Sequence, residues 1–144
     1  MLKEVIADLS ALGGVPLYAL TALMFLFIDR ANVFIFLTLG FVLIYAITSI
    51  IRFFWFKRRP DKQKYKTWWQ KIDASSFPSL HSARIVLLGL VMYFYFQNLS
   101  VLMLAIIAMI GVGYSRIWLN RHDWKDVLGG YILGAAVFFL IGML

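Results

Sequence analysis

The chain has two histidines, His81 and His122, and each stands among residue types that can handle an anionic group. His122 belongs to the run Ser115-Arg116-x5-His122-x3-Asp126. If His122 opens a helix, the i, i+4 spacing puts Asp126 on the same face. A carboxylate there accepts the Nδ1 proton, leaves Nε2 free to attack and stabilises the charge that forms on the ring. The plainer reading is a helix cap with a surface salt bridge. His81 follows Pro78-Ser79-Leu80 and is followed by an apolar run, which marks a helix N-terminus. Free N–H groups and the positive dipole end make such a terminus an anion site; the plainer reading is a cap with an interfacial histidine. The third cluster is Arg52-x6-Arg59-Pro60. An ionisable Arg52 near the end of an apolar run is costly and often functional, although a long side chain there can also snorkel to the interface. Each cluster is weak alone. Together they supply two histidines, a carboxylate, three arginines and a helix N-terminus. Phosphoryl transfer needs such parts, because guanidinium forks and N–H groups stabilise charge spread over three oxygens while a nucleophile and a proton donor act in line.

The elements that must position these residues follow from hydropathy. Of the 144 residues, 62% are apolar and 17% aromatic, and the mean hydropathy is +0.83. This composition describes an all-α bundle of membrane helices in a single domain, residues 1–144. About five apolar runs are long enough to cross a bilayer: from Ala11 to Ile28, Val33 to Phe56, Ser79 to Phe96, Ser100 to Leu119 and Asp126 to Leu144. Residues 1–10 read as a short interfacial helix with Leu2, Val5, Ile6 and Leu9 on one face. Gly130 and Gly134 in the last run form a G-x-x-x-G step, read as a small-residue packing face. Counting spans brings the segments around Arg59, His81 and His122 to the same membrane face.

The net charge of +7 comes mostly from residues beside spans or within the polar stretch from Lys57 to Phe77. That placement suits anionic head groups or a phosphate substrate better than nucleic acid. Tyr65, Trp68 and Trp69 interleave with its basic residues, as in a head-group layer. With no cysteine there is no disulfide or thiol chemistry. No cleavable signal peptide is expected, since Lys3, Glu4 and Asp8 interrupt the start. The histidines lack the close spacing of a zinc site, so neither a metal nor another cofactor is expected.

In order and spacing, the three clusters resemble the signature of the type-2 phosphatidic-acid phosphatase and vanadium haloperoxidase superfamily: K-x6-R-P, P-S-G-H and S-R-x5-H-x3-D. The resemblance spans residues 52–126 and favours the membrane lipid phosphatase branch, since the haloperoxidases are soluble and much larger. It implies hydrolysis of a lipid phosphomonoester or diphosphate through a phosphohistidine. Candidate substrates are polyprenyl diphosphate (slightly favoured), phosphatidic acid and a phosphatidylglycerophosphate-like lipid. By the same resemblance His122 is the nucleophile, Asp126 its orienting carboxylate and His81 the general acid. Arg52, Arg59 and Arg116, the Ser79 hydroxyl and the Leu80 N–H bind the phosphate. Two positions depart from the pattern: Arg52 replaces lysine, a fork for a point charge, and Leu80 replaces glycine, which keeps the backbone donor. Arg84, extra to the signature, is a candidate contact for a second phosphate or a head group, or a structural partner of Asp73 or Asp123. The alternatives are a lipid phosphotransferase using the same intermediate and a non-enzymatic membrane scaffold. Apart from the site arginines, basic residues concentrate on the active-site side, with Arg30 alone opposite. The positive-inside tendency therefore places the active site and N-terminus on the cytoplasmic face, although many members of the family resemble the opposite arrangement.

Overall fold

The computed structural model describes residues 1–143. The chain forms α1 (Leu2–Ala11), α2 (Val15–Phe27), α3 (Ala31–Phe54), α4 (Trp68–Ala74), α5 (Leu80–Phe96), α6 (Leu99–Trp118) and α7 (Trp124–Gly142). Outside the helices, an isolated bridge pairs Arg58 with Ser75.

The bundle is organised around α5. Its residues from Ser82 to Gly89 are all buried, because α6, α7 and α3 pack around it. At 17 residues it is about 25 Å long, short for a crossing of about 30 Å. The longer α3, α6 and α7 have the length and apolarity to cross a membrane. On α3 the buried residues are Leu37, Gly40, Ile44, Thr48 and Arg52, a stripe at three- and four-residue spacing that faces the core. Its opposite face exposes Ile35, Leu39 and Val42, and α6 exposes Leu104, Ile107 and Ile110. Apolar exteriors around a core containing Thr48, Arg52, Ser79 and Ser82 fit a protein whose surroundings are hydrocarbon.

The α5–α7 contact depends on glycine. A Cβ on Gly130 would meet the Ser79 carbonyl and lie 2.7 Å from Ser82 Cβ, and one on Gly134 would meet the Ala83 carbonyl. The G-x-x-x-G step is thus an internal packing face, and it holds α7 against the first turn of α5.

The N-terminal region differs from the sequence expectation. The run from Ala11 to Ile28 is not one span. It breaks at residues 12–14, and α1 and α2 meet at a 42° bend. Gly14 has extended dihedrals and caps α2, with proline in the first turn, so the helix restarts there instead of continuing. At 13 residues, α2 is about 20 Å long, too short to cross alone; paired with α1 it passes as a bent span, giving up to four by length and composition. Nor does α1 lie free at the interface. It packs on α6, burying Ile6 and Ser10 while Leu2 and Val5 remain exposed.

The stretch from Lys57 to Phe77 also holds more structure than its polarity suggested. Thr67 and Gln70 form a reciprocal capping box that starts α4. Ser76 N–H donates to the Lys57 carbonyl at 2.8 Å, pinning the end of the stretch to its beginning.

Candidate active site

At one end of the bundle, a cavity of about 500 Å3 is lined by Arg52, Arg59, Arg84, Arg116, Arg121, His81 and His122, with Leu80, Tyr45, Gln63, Asp73 and residues 14–16 in its wall. These residues come from α3, the following loop, α4, α5, α6, the α6–α7 connection and the start of α2. The convergence expected from span parity is present.

His122 lies just before α7, outside the helix: α7 begins at Trp124, with Asp123 as its cap. The contact with Asp126 is therefore made across the entry turn rather than along a helical face, which corrects the expectation. Asp123 and Asp126 cap each other reciprocally, each side chain accepting the other's N–H at 3.0 Å. This leaves the fully buried Asp126 carboxylate with Oδ2 3.6 Å from His122 Nδ1, longer than a hydrogen bond. Its Oδ1 accepts from Lys57 Nζ at 2.7 Å, and Asp123 Oδ2 accepts from the same ammonium at 2.6 Å. Burial lowers the pKa of His122; Asp126 opposes that shift, and the nearby Arg116 and Arg59 add to it. The imidazole is thus held neutral to lower pH than an ordinary histidine.

His81 stands in the first turn of α5, which Ser79 caps by accepting from Ser82 N–H and from the Ser82 hydroxyl. Ala83 N–H bonds the Ser79 carbonyl. The orphan donors of this helix end are then the N–H groups of Leu80 and His81. Leu80 and His81 line the cavity. Ser79 is fully buried and stands behind that wall, where its N–H donates to the Asp126 carbonyl at 3.0 Å. This bond ties the two histidine segments together.

The arginines fall into two kinds. Arg52 is buried and donates to the carbonyls of Phe77, Ile72 and Pro78 at 3.3, 3.4 and 2.9 Å, so it braces the segment leading into His81. It does not snorkel. Arg84 donates to the Gly13 carbonyl at 2.9 Å and to the Tyr45 hydroxyl; its partners are neither Asp73 nor Asp123. Arg59 is less committed, bonding Gln63 Oε1 at 2.6 Å and the Asp73 carbonyl at 2.7 Å, and Arg116 bonds Ser10 Oγ at 2.9 Å. Both retain a buried Nε–H with no protein acceptor, and both side chains line the cavity.

Several participants escaped the sequence reading: Lys57, Tyr45, Ser10 and Gly13. The last is confined because a Cβ there would lie 2.8 Å from the His81 carbonyl.

Two comparisons bear on this geometry. The family model of the PAP2 superfamily matches residues 33–142. The chain belongs to the PAP2 superfamily. A crystal structure described as the first transmembrane PAP2 type phosphatidylglycerolphosphate phosphatase from Bacillus subtilis superposes with a TM-score of 0.75 at 25% identity, over 99% of this chain and 75% of that one. The region that makes the chain a PAP2 protein contains all three motifs, whereas α1 and the turn after it, which supply Ser10 and Gly13 to the site, precede it.

Proposed function

We propose that this PAP2 protein is a metal-independent lipid phosphatase acting through a phosphohistidine at His122. The observation that carries this reading is the cavity itself: two histidines and five arginines face it against a single carboxylate, Asp73. Such a wall stabilises a transferring phosphoryl group with fixed positive charge. Among the described residues no three histidine or carboxylate side chains gather as a metal site would require.

In the proposed reaction, Nε2 of His122 attacks phosphorus as Nδ1 faces Asp126. The N–P bond forms, the bond from phosphorus to the lipid oxygen breaks, and His81 gives its proton to that oxygen. Water then attacks the phosphohistidine, the N–P bond breaks and His81 takes the water's proton. Arg59 and Arg116, through the terminal N–H groups not bonded to Gln63, the Asp73 carbonyl or Ser10, and the Leu80 N–H hold the phosphoryl oxygens. Arg52 contributes through its remaining N–H groups while bracing the loop, Ser79 shapes the helix end, and Arg84 offers its remaining N–H groups to a second phosphate or a head-group oxygen.

The substrate is a lipid phosphomonoester or diphosphate. The name of the structural relative makes phosphatidylglycerophosphate the first to test, beside polyprenyl diphosphate and phosphatidic acid. Phosphate release from this panel in detergent, with EDTA present, is the deciding experiment. Turnover in EDTA with inhibition by vanadate, which can adopt a trigonal-bipyramidal form with a histidine as axial ligand, supports the reading. Loss on chelation with recovery on added magnesium would refute the metal-free mechanism. We also assign the cavity to the cytoplasmic face, on the excess of lysine and arginine at that end. Single cysteines at Lys64 and Ser100, probed on intact cells with an impermeant thiol reagent, test this; labelling at 64 but not at 100 reverses it.

A further inference from the structure

We propose that Lys57 is a positioning residue for His122, setting the Asp126 carboxylate so that one edge faces the imidazole while the other is held away from it. This rests on the reading of His122 as the nucleophile. Lys57 is one of the six unspecified positions of the first motif, on the loop after α3, yet its Nζ reaches both Asp123 and Asp126. Those two residues cap α7, so the ammonium joins the start of the polar stretch to the element carrying His122.

The arrangement settles each oxygen of Asp126. Oδ1 belongs to Lys57 and Oδ2 to the Asp123 N–H, and the imidazole meets the Oδ2 edge at 3.6 Å. A carboxylate at this depth with no counter-ion would attract a proton to the ring beside it. Lys57 supplies that counter-ion. Burial opposes its charge, but hydrogen bonds to Asp123 and Asp126 outweigh burial and raise its pKa, so it stays charged wherever the enzyme would operate. The other charged and titratable groups around His122 are Arg116 from α6, Arg59 from the loop after α3, and the imidazole of His81 from α5, with Arg121 beside it in the cavity wall. The side chains of Arg59 and Arg116 bond Gln63, the Asp73 carbonyl and Ser10 rather than Asp126, and Arg121 pairs with Asp61. Lys57 is the cation bound directly to the Asp126 carboxylate.

The consequence has a definite sign. Without Lys57, Asp126 is free to close on Nδ1, and the imidazolium is favoured. His122 then titrates at higher pH, and less of it is the neutral nucleophile near neutrality. Two measurements test this on the full-length protein in detergent. The first is the His122 imidazole titration, followed by NMR and assigned by a His81→Asn variant, in wild type, Lys57→Met and Lys57→Arg; it requires no turnover. Lys57→Met should move the titration upward by about one unit, a tenfold change in the protonation equilibrium, while Lys57→Arg stays near wild type. An unchanged titration in a folded Lys57→Met overturns the proposal. The second is turnover. Lys57→Met should lower kcat roughly 10- to 100-fold, the scale on which partners behind a functional histidine act, with KM nearly constant and most of kcat recovered in Lys57→Arg. A higher KM at unchanged kcat would make Lys57 a substrate-attracting charge and overturn the positioning role. If wild type releases no phosphate from any lipid, the phosphatase reading fails, while the titration still decides the link between Lys57 and His122.

Discussion

The two ends of the bundle are built differently. At the cavity end, five arginines, two histidines and an Asp73 carboxylate share about 500 Å3, and connections run through a long loop with its own helix, α4. At the far end, a smaller pocket of about 260 Å3 is lined by Val33, Phe36, Val91, Phe94, Tyr95 and Phe138 with Asn32. Tight turns close that end, with Asp29 and Gln97 in the left-handed conformation. A cationic side chain, Arg30, bonds there to Tyr95 at 3.2 Å. Charge concentrated where the chain is irregular, and apolar closure where it is tight, fits the proposed division, in which one end handles a phosphate and the other joins helices. Substitutions should therefore divide by end, with activity lost at the first and stability alone affected at the second.

The strongest break in that division is at His122. His122→Ala should remove turnover by several orders of magnitude, as loss of a covalent nucleophile does, while the melting temperature stays near wild type. The phosphate-release assay run beside a thermal melt reads both. Retained activity in a folded variant would dissolve the distinction between the ends. His81→Ala should also be severe, but less so for a diphosphate or aryl phosphate, whose leaving group needs less protonation.

Much of the cavity end was legible in the sequence because it follows from parity. Apolar runs read as spans put the segments carrying Arg59, His81 and His122 at one face, and the cavity gathers them at one end of the bundle. The small-residue role of Gly130 and Gly134 was also legible, since a four-residue glycine step allows close helix approach. What could not be read depended on contacts between distant residues. Lys57 stands in a basic loop with Lys62, Lys64 and Lys66, and nothing in the sequence sets it apart from them; only the fold brings it to Asp126, 69 positions on. Ser10 meets Arg116 across 106 positions. Two local signals do mark features that polarity and hydropathy alone pass over. Thr67-x-x-Gln70 is a capping-box pattern that marks α4, and Gly13-Gly14 before Pro16 marks the break between α1 and α2.

A smaller effect sharpens the boundary between the ends. Gly130 touches the Ser79 turn, whereas Gly89 sits farther along α5, where a Cβ would lie 3.0 Å from Ala105 Cβ. Both Gly130→Ala and Gly89→Ala overpack a helix contact, at a cost of about 1–3 kcal/mol. Only Gly130→Ala should also displace the first turn of α5 and lower kcat where the variant remains folded. Equal losses of activity in the two, after matching for stability, would show that the cavity is not sensitive to its own wall.

The pH dependence follows from the lowered pKa of His122. In the proposed mechanism His122 must be neutral to attack, so activity is expected above its pKa and is lost as pH falls through it. The acid limb of kcat/KM, which reports the free enzyme, should lie below the ordinary histidine value of about 6.5. A limb above that value would mean that Asp126 outweighs burial, contrary to the geometry at 3.6 Å.

The smallest effect belongs to Arg30. Its side chain is exposed, and its Nε–H bond to Tyr95 joins the α2–α3 turn to the end of α5. Tyr95 also packs edge-on against the buried Phe25 ring at 4.9 Å, so the turn keeps an apolar anchor when the arginine is gone. Arg30→Ala should therefore cost no more than about 1 kcal/mol, the range of an exposed polar contact. It should leave kcat and KM within about twofold, a difference of less than about 0.5 kcal/mol by the rate relation. Removing this cation also deepens the charge asymmetry between the ends, so orientation in the membrane should hold. The measurement is steady-state turnover with a thermal melt on one preparation. A tenfold fall in kcat with the melt unchanged would show that the far turn is coupled through α5 to His81, and the two ends would no longer be separable.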